Sequence, residues 1–103
     1  MARVLRSPRA KRDIIDVLKY TRDRWGKDQA RAYRDLIREA LRAISADPSR
    51  GKVWGTRPGI LSYHIKQPGR DARHIVFYRV NAVGVLEVVR FLHDSMDFDL
   101  HLP

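Results

Sequence analysis

The side chains most able to do chemistry lie in the second half of the chain. Lys52, Lys66, Arg73, His74, Arg79, Arg90 and His93 combine cations with imidazoles. Metal-free cleavage of a phosphodiester needs such groups: a base for the attacking hydroxyl, an acid for the leaving oxygen, and cations for the developing phosphorane charge. They are useful only if they converge on one surface. Arg79 and Arg90 fall on adjacent predicted strands and can face the same side, and His93 closes the last strand. Ordinary uses compete. His93 suits a hydrogen-bonded cap at a sheet end, and His74 suits a plain strand position. His93-Asp94 makes no motif, because adjacent strand residues point to opposite faces.

Other chemistries find no constellation. His64, His74, His93 and His101 are scattered without ligand spacing, so no metal is expected. Gly51, Gly55 and Gly59 recur at four-residue steps but lack the Lys-Ser/Thr of a phosphate loop. No serine sits in a nucleophile elbow, and no cofactor is expected. The absence of cysteine excludes disulfides and thiolate metal sites and fits a reducing compartment. Trp54 lies near Lys52 and Arg57, where it can stack on a partner or cover a core edge. Trp25 is expected in the core.

The hydrophobic spacing supplies a scaffold for these groups. Val4-Leu5 reads as a short strand, and Ser7-Pro8 as an N-cap followed by proline at the first helical position. Ala10, Ile14, Val17, Leu18, Thr21 and Trp25 then recur at helical steps, and Gly26 stops the helix. A second helix follows, with Asp28 as its expected N-cap and Tyr33, Leu36, Ile37, Ala40, Leu41 and Ile44 on one face. Asp47-Pro48 closes it. The short Gly26-Lys27 link makes the pair an antiparallel hairpin. Arg31, Arg34, Arg38 and Arg42 form a stripe on the outer face, with Asp35 and Glu39 available for weak ion pairs.

After Pro48 the pattern becomes β. Residues 49–59 read as a loop, 60–66 as a strand, and Gln67-Pro68-Gly69-Arg70 as a turn. Residues 73–80 form the clearest strand, Asn81-Ala82-Val83-Gly84 a hairpin loop, and 85–93 the final strand. Residues 94–103 show no usable periodicity. The predicted class is α+β: a short N-terminal strand, an antiparallel helix hairpin, then a three-strand antiparallel meander, with the helices packed on one face of the sheet. The predicted core includes Ile14, Leu18, Leu36, Ile37, Leu41, Ile44, Ile75, Phe77 and Val89.

The chain's 103 residues fit one domain, 1–103, large enough for its own core. The formal net charge of +9 implies a polyanionic or acidic partner: nucleic acid, the ribosome or an acidic protein. Most of the excess lies early, with 14 Lys+Arg against 7 Asp+Glu in residues 1–50 and 7 against 5 thereafter. No apolar run approaches the roughly 20 residues of a membrane span, and the N-terminus lacks a signal-peptide core. A cytoplasmic location and no membrane partner are expected.

Several anchors, taken in order, resemble the ParE branch of the ParE/RelE toxin–antitoxin superfamily. Ser7-Pro8 with Ala10 and Asp13 resembles its opening. Tyr20-Thr21, Trp25-Gly26, Gln29-Ala30 and Tyr33 resemble its helix hairpin, followed by Pro48 and Gly51. Pro58-Gly59, Ser62-Tyr63, the run from His74 to Val80, and Val88-Val89-Arg90 with His93 resemble its strands. The similarity runs from Arg3 to about His101. Two departures are Leu61, where many relatives have arginine, and a longer segment from Gln67 to Ala72.

The resemblance implies a toxin held inactive by a ParD-like antitoxin, a DNA-binding dimer whose flexible C-terminal segment folds onto the toxin. ParE-like toxins are associated with DNA gyrase; RelE-like relatives cleave messenger RNA on the ribosome. Inhibition of gyrase by binding is the expected function, with no catalytic residue. The nuclease alternative would rest on Arg79, Arg90 and His93, and a third possibility is a nucleic-acid-binding module without toxicity. Direct contact with nucleic acid is left open. A disordered acidic antitoxin segment is expected across the helix hairpin and one edge of the sheet, with Tyr20, Arg31, Tyr33, Arg34 and Arg38 as the residues to contact it.

Overall fold

Local sequence signals decide where each element begins. In the computed structural model, residues 2–55, 57–65 and 74–102 are described. Strand β1 (Val4–Arg6) leads into helix α1 (Pro8–Trp25). Ser7 caps α1 by accepting the Ala10 N–H at 3.0 Å, and its hydroxyl donates to the Val89 carbonyl at 2.8 Å. One side chain thus starts the helix and ties it to a strand 82 residues away. Gly26, at φ 95°, serves as C-cap of α1 and N-cap of α2 (Lys27–Ala46). It takes the cap expected of Asp28, which lies in the first turn of α2, where a carboxylate favours the helix dipole.

Beyond α2 come a 3₁₀ turn (Pro48–Arg50), β2 (Lys52–Val53), β3 (Leu61–His64), β4 (His74–Val80), β5 (Leu86–His93) and a second 3₁₀ turn (Phe98–Leu100). The strands form one sheet in the order β1-β5-β4-β3-β2. The expected meander is β3-β4-β5, all antiparallel. Two details differ from expectation. β1 pairs parallel to β5, so the sheet is mixed, and the presumed loop 49–59 contains β2, which pairs antiparallel to β3. The anticipated turn at Gln67–Arg70 lies outside the described residues.

The helices cover one face of the sheet. Ala10, Ile14, Ile37, Ala40 and Ile44 pack on Ile65, Val76, Tyr78, Leu86, Val88 and Phe91. The opposite face has its own smaller cluster of Ile60, Ile75, Phe77, Val89, Leu92 and Leu102, edged by Trp54 and Phe98. Trp54 meets Phe77 and Phe98 edge-on, so it covers a core edge. Phe98 and Leu102, in the tail without periodicity, therefore cover this second face. Irregular backbone can place such residues without a repeating pattern, which is why periodicity missed them.

The helix hairpin overhangs the sheet. Ala10 and Ile14 are buried, Val17 and Leu18 are half-buried, and Tyr20 and Trp25 are 60% and 64% exposed. Trp25 is therefore not a core residue. It continues the apolar stripe past the point where the sheet ends, and the Arg24 guanidinium lies 5.6 Å from its ring centre. Leu18, Leu36 and Leu41 are likewise only half-buried against the core. Ile14, Ile37, Ile44, Ile75, Phe77 and Val89 are buried as expected.

Tyr78 fixes the passage from α2 into the sheet. Its ring is buried, while its hydroxyl donates to the Pro48 carbonyl at 2.5 Å and accepts from the Gly51 N–H at 2.9 Å. A Cβ on Gly51 would collide with that hydroxyl. Gly51→Ala should therefore cost about 1–3 kcal/mol, the usual range for overpacking. Urea midpoints check this, and a double-mutant cycle with Tyr78→Phe should show coupling, since removing the hydroxyl removes the closest clash.

Candidate functional site

Three surfaces gather the residues singled out by sequence. The first is a groove between α1 and α2 on the hairpin. Its floor is Ile15, Leu18 and Ala30, and its rims are Lys19 and Arg22 from α1 and Lys27, Arg31 and Arg34 from α2. Helical spacing explains the grouping: positions 15, 18, 19 and 22 share one stripe of α1, and 27, 30, 31 and 34 share one stripe of α2. The groove encloses about 470 Å³, and every charged residue lining it is a cation. Ile15 is 59% exposed on its floor.

The outer arginine stripe carries long, exposed ion pairs: Arg31 with Asp28 at 3.7 Å, Arg34 with Asp35 at 3.9 Å, and Arg42 with Glu39 at 3.8 Å. Pairs of this kind add little stability and are easily exchanged for another anion. Arg38 does not line the hairpin groove. It borders a smaller one of about 270 Å³ with Arg6 and Arg42 over Val4 and Leu41, beside β1. Tyr20 stands exposed on α1. Tyr33 turns inward and is only partly accessible.

The second surface is the end of the β4–β5 ladder. His74 and His93 are directly paired, with ring centres 5.2 Å apart and perpendicular. His74 stacks on Phe91 at 5.0 Å, and its Nδ1 lies 2.6 Å from the Tyr33 hydroxyl. Assigning the hydroxyl as donor puts the ring proton on Nε2. Burial raises the Tyr33 pKa to about 12 and lowers that of His74 to about 4, with His93 adding repulsion to the latter. His74 is therefore neutral at pH 7 and a weak base. It bridges α2 to the sheet, more than the plain strand position expected. His93 accepts the Ser95 N–H at 3.1 Å and lies 2.7 Å from the Ser95 hydroxyl, closing the strand as a local cap.

The third surface is a cleft on the other face of the sheet, between the start of α1 and the C-terminal tail. Arg79 and Arg90 both line it, as their strand placement suggested. Neither is a loose cation. Arg79 Nε meets Glu87 at 2.8 Å across the strands. Arg90 is buried, and its Nε and Nη2 donate to the two oxygens of Asp13 at 2.8 and 2.9 Å. That forked bond keeps the guanidinium charged, with its pKa above the ordinary value. Nη1 also donates to the His101 carbonyl at 3.2 Å.

Among the described residues, the nuclease candidates Arg79 and His93 do not converge. The ladder pairs His93 with His74 and Glu87 with Arg79, so His93 and Arg79 sit about five ladder steps apart, roughly 16 Å. Lys52 is exposed on β2 at the sheet's edge. Lys66 and Arg73 lie outside the described residues. No group of three or more His, Cys, Asp or Glu that could hold a metal occurs among the described residues. Sequence reasoning missed Asp13 as the partner of Arg90; the one signal was its position near the start of α1, six residues after the Ser7 cap.

A helix hairpin over a mixed five-stranded sheet is also the fold of the solved "Chromosomal ParDE TA system from P. aeruginosa", with TM-score 0.74, 14% identity, and coverage of 90% of this chain and 96% of that one. Sequence carries the assignment further. The family described as "ParE toxin of type II toxin-antitoxin system, parDE" matches residues 4–98. The chain is 37% identical over 102 residues to Toxin ParE1 of Mycobacterium tuberculosis (strain H37Rv), covering 98% of each. It is 35% identical over 98 residues to Toxin ParE1 of Caulobacter vibrioides, covering 93% of each. The chain belongs to the ParE toxin family of type II toxin–antitoxin systems.

Two outcomes follow from the site geometry. Arg90→Ala should cost about 3–5 kcal/mol, because it leaves Asp13 enclosed without its cation; chemical denaturation reads this. The lowered His74 pKa gives a pH dependence. Below its ordinary value of 6.5 the unfolded chain binds a proton that the folded chain resists. Stability should therefore fall as pH drops from about 6.5 to about 4, and His74→Gln should flatten that part of the profile in thermal scans across this range.

Proposed function

We propose that this protein is a cytoplasmic toxin that inhibits DNA gyrase by binding it, and that an acidic antitoxin neutralises it. The observation that carries the antitoxin half is the hairpin groove. An apolar floor with five cationic rims suits an amphipathic helix whose apolar stripe is flanked by carboxylates. Burying Ile15 and Leu18 would supply affinity, and the rims would supply steering and register. Arg31 and Arg34 flank the floor directly. Tyr20 and Arg38 lie on the exposed surface of the same hairpin, where a longer segment would reach them. Tyr33 would act through the placement of α2, since its hydroxyl is engaged with His74. The ParDE systems of relatives support an antitoxin partner for this chain.

Gyrase as the target is supported by family membership, and the dispersal of the described acid, base and cation candidates fits a binding inhibitor. Arg79 and Arg90 are held by carboxylates, and His93 sits at the far end of the ladder. A binding inhibitor needs no convergent set. Inhibition of supercoiling by the purified protein, with messenger RNA intact on translating ribosomes, is the expected result. Ribosome-dependent cleavage abolished by His93→Ala, with supercoiling untouched, would replace this function by that of an endoribonuclease. For the antitoxin, Arg31→Glu with Arg34→Glu should weaken binding by roughly tenfold or more, and rising salt should weaken the wild-type complex, both read by calorimetry. Unchanged affinity would move the antitoxin off the hairpin groove.

A further inference from the structure

A second groove, larger than the one on the hairpin, lies elsewhere on the molecule. The cleft between α1 and the C-terminal tail encloses about 550 Å³, against about 470 Å³ for the hairpin groove, and the two share no lining residue. Its walls are mainly apolar, from Pro8, Val89, Leu100 and Leu102, with Arg9 and Arg79 at the sides. Two of these side chains do nothing evident for the fold. Leu100 is 78% exposed in the second 3₁₀ turn, while Leu102, two residues on, is buried. Arg9 lies in the first turn of α1, which has no acidic residue, and a cation there opposes the helix dipole. An exposed leucine and an unfavourably placed arginine therefore meet in one cavity.

We infer that this cleft docks an extended acidic segment of the toxin's protein target, with an apolar side chain against Leu100 and Val89 and a carboxylate on Arg9 and Arg79. This rests on the proposal that the target is a protein. Charge selects the occupant. Arg90 is neutralised by Asp13, and Arg79 by Glu87, which leaves Arg9 to give the cleft a net positive field. A second copy of this chain, at net charge +9, is repelled. A nucleic-acid backbone would find cations but no use for an apolar wall, whereas an acidic peptide uses both. Arg79 is half-exposed, so an incoming carboxylate can share it with Glu87 without unfolding anything. Because the hairpin groove is lined by different residues, target and antitoxin would engage separate surfaces.

The test uses the full chain with Arg9→Glu and, separately, Leu100→Asp. Both positions are exposed, and unfolding temperatures establish that each variant is folded. Each should need roughly tenfold or more protein to inhibit gyrase supercoiling and should lose growth arrest when expressed, while binding the co-encoded antitoxin as the wild type does. Folded variants that remain fully toxic would overturn the cleft and leave gyrase as target intact. Variants that lose toxicity and antitoxin binding together would overturn the separation of surfaces. A wild type that arrests growth without touching supercoiling would remove gyrase, and growth arrest by the variants would then decide the cleft alone. A wild type that does neither overturns both proposals. Binding of a short DNA duplex, measured by fluorescence anisotropy, that is abolished by Arg9→Glu and untouched by Leu100→Asp would assign the cleft to phosphates and overturn the peptide.

Discussion

The forked bond between Asp13 and Arg90 joins the three parts of this molecule. β1 covers the edge of β5 only as far as Val88. Beyond that point the Phe91 N–H would face outward from an open edge, and Asp13 Oδ2 accepts it at 3.0 Å. The same carboxylate takes two bonds from Arg90, and Arg90 reaches on to the His101 carbonyl. A single acidic side chain of α1 thereby caps an edge strand, sets the orientation of a buried guanidinium and, through it, holds the tail. The ladder slips here: Phe77 pairs with Arg90 and Tyr78 with Val88, leaving Val89 as an extra residue. A bulge of this kind redirects side chains, so Arg90 can serve both α1 and the tail.

The architecture was legible in the sequence where burial is periodic. α2 shows this best, since Ile37, Ala40 and Ile44 fall on one stripe and are buried together. β4 and β5 were legible from β-branched and aromatic runs. The parallel pairing of β1 was not, because three residues carry no sign of direction or partner. Trp25 was misplaced for a related reason. Periodicity states which side of a helix is apolar, but not how far the neighbouring sheet extends beneath it.

The functional surfaces were legible only in part. Cation spacing on α2 pointed to Arg31 and Arg34, and these do rim a groove. The other rim comes from Lys19 and Arg22 on α1, and only the hairpin geometry shows that the two stripes meet. Arg79 and Arg90, on adjacent strands, line one cleft. What decided their character was the presence of Glu87 and Asp13, of which Asp13 lies 77 residues from its partner. Long-range ion pairs of this sort leave no local trace in the chain.

The parallel pairing of β1 with β5 also bears on when the sheet can exist. Val4 is partnered by Leu86, and Ser7 by Val88 and Val89. Closing a loop of that length costs conformational entropy before any strand contact repays it, and contacts so distant in sequence slow folding. On a translating ribosome the helix hairpin can form early, because its contacts are local. The central strand and its edge cannot assemble until β5 has emerged. The hairpin groove draws only on residues 15–34, whereas the cleft needs both ends of the chain, so one surface rests on local contacts and the other on the residues synthesised last.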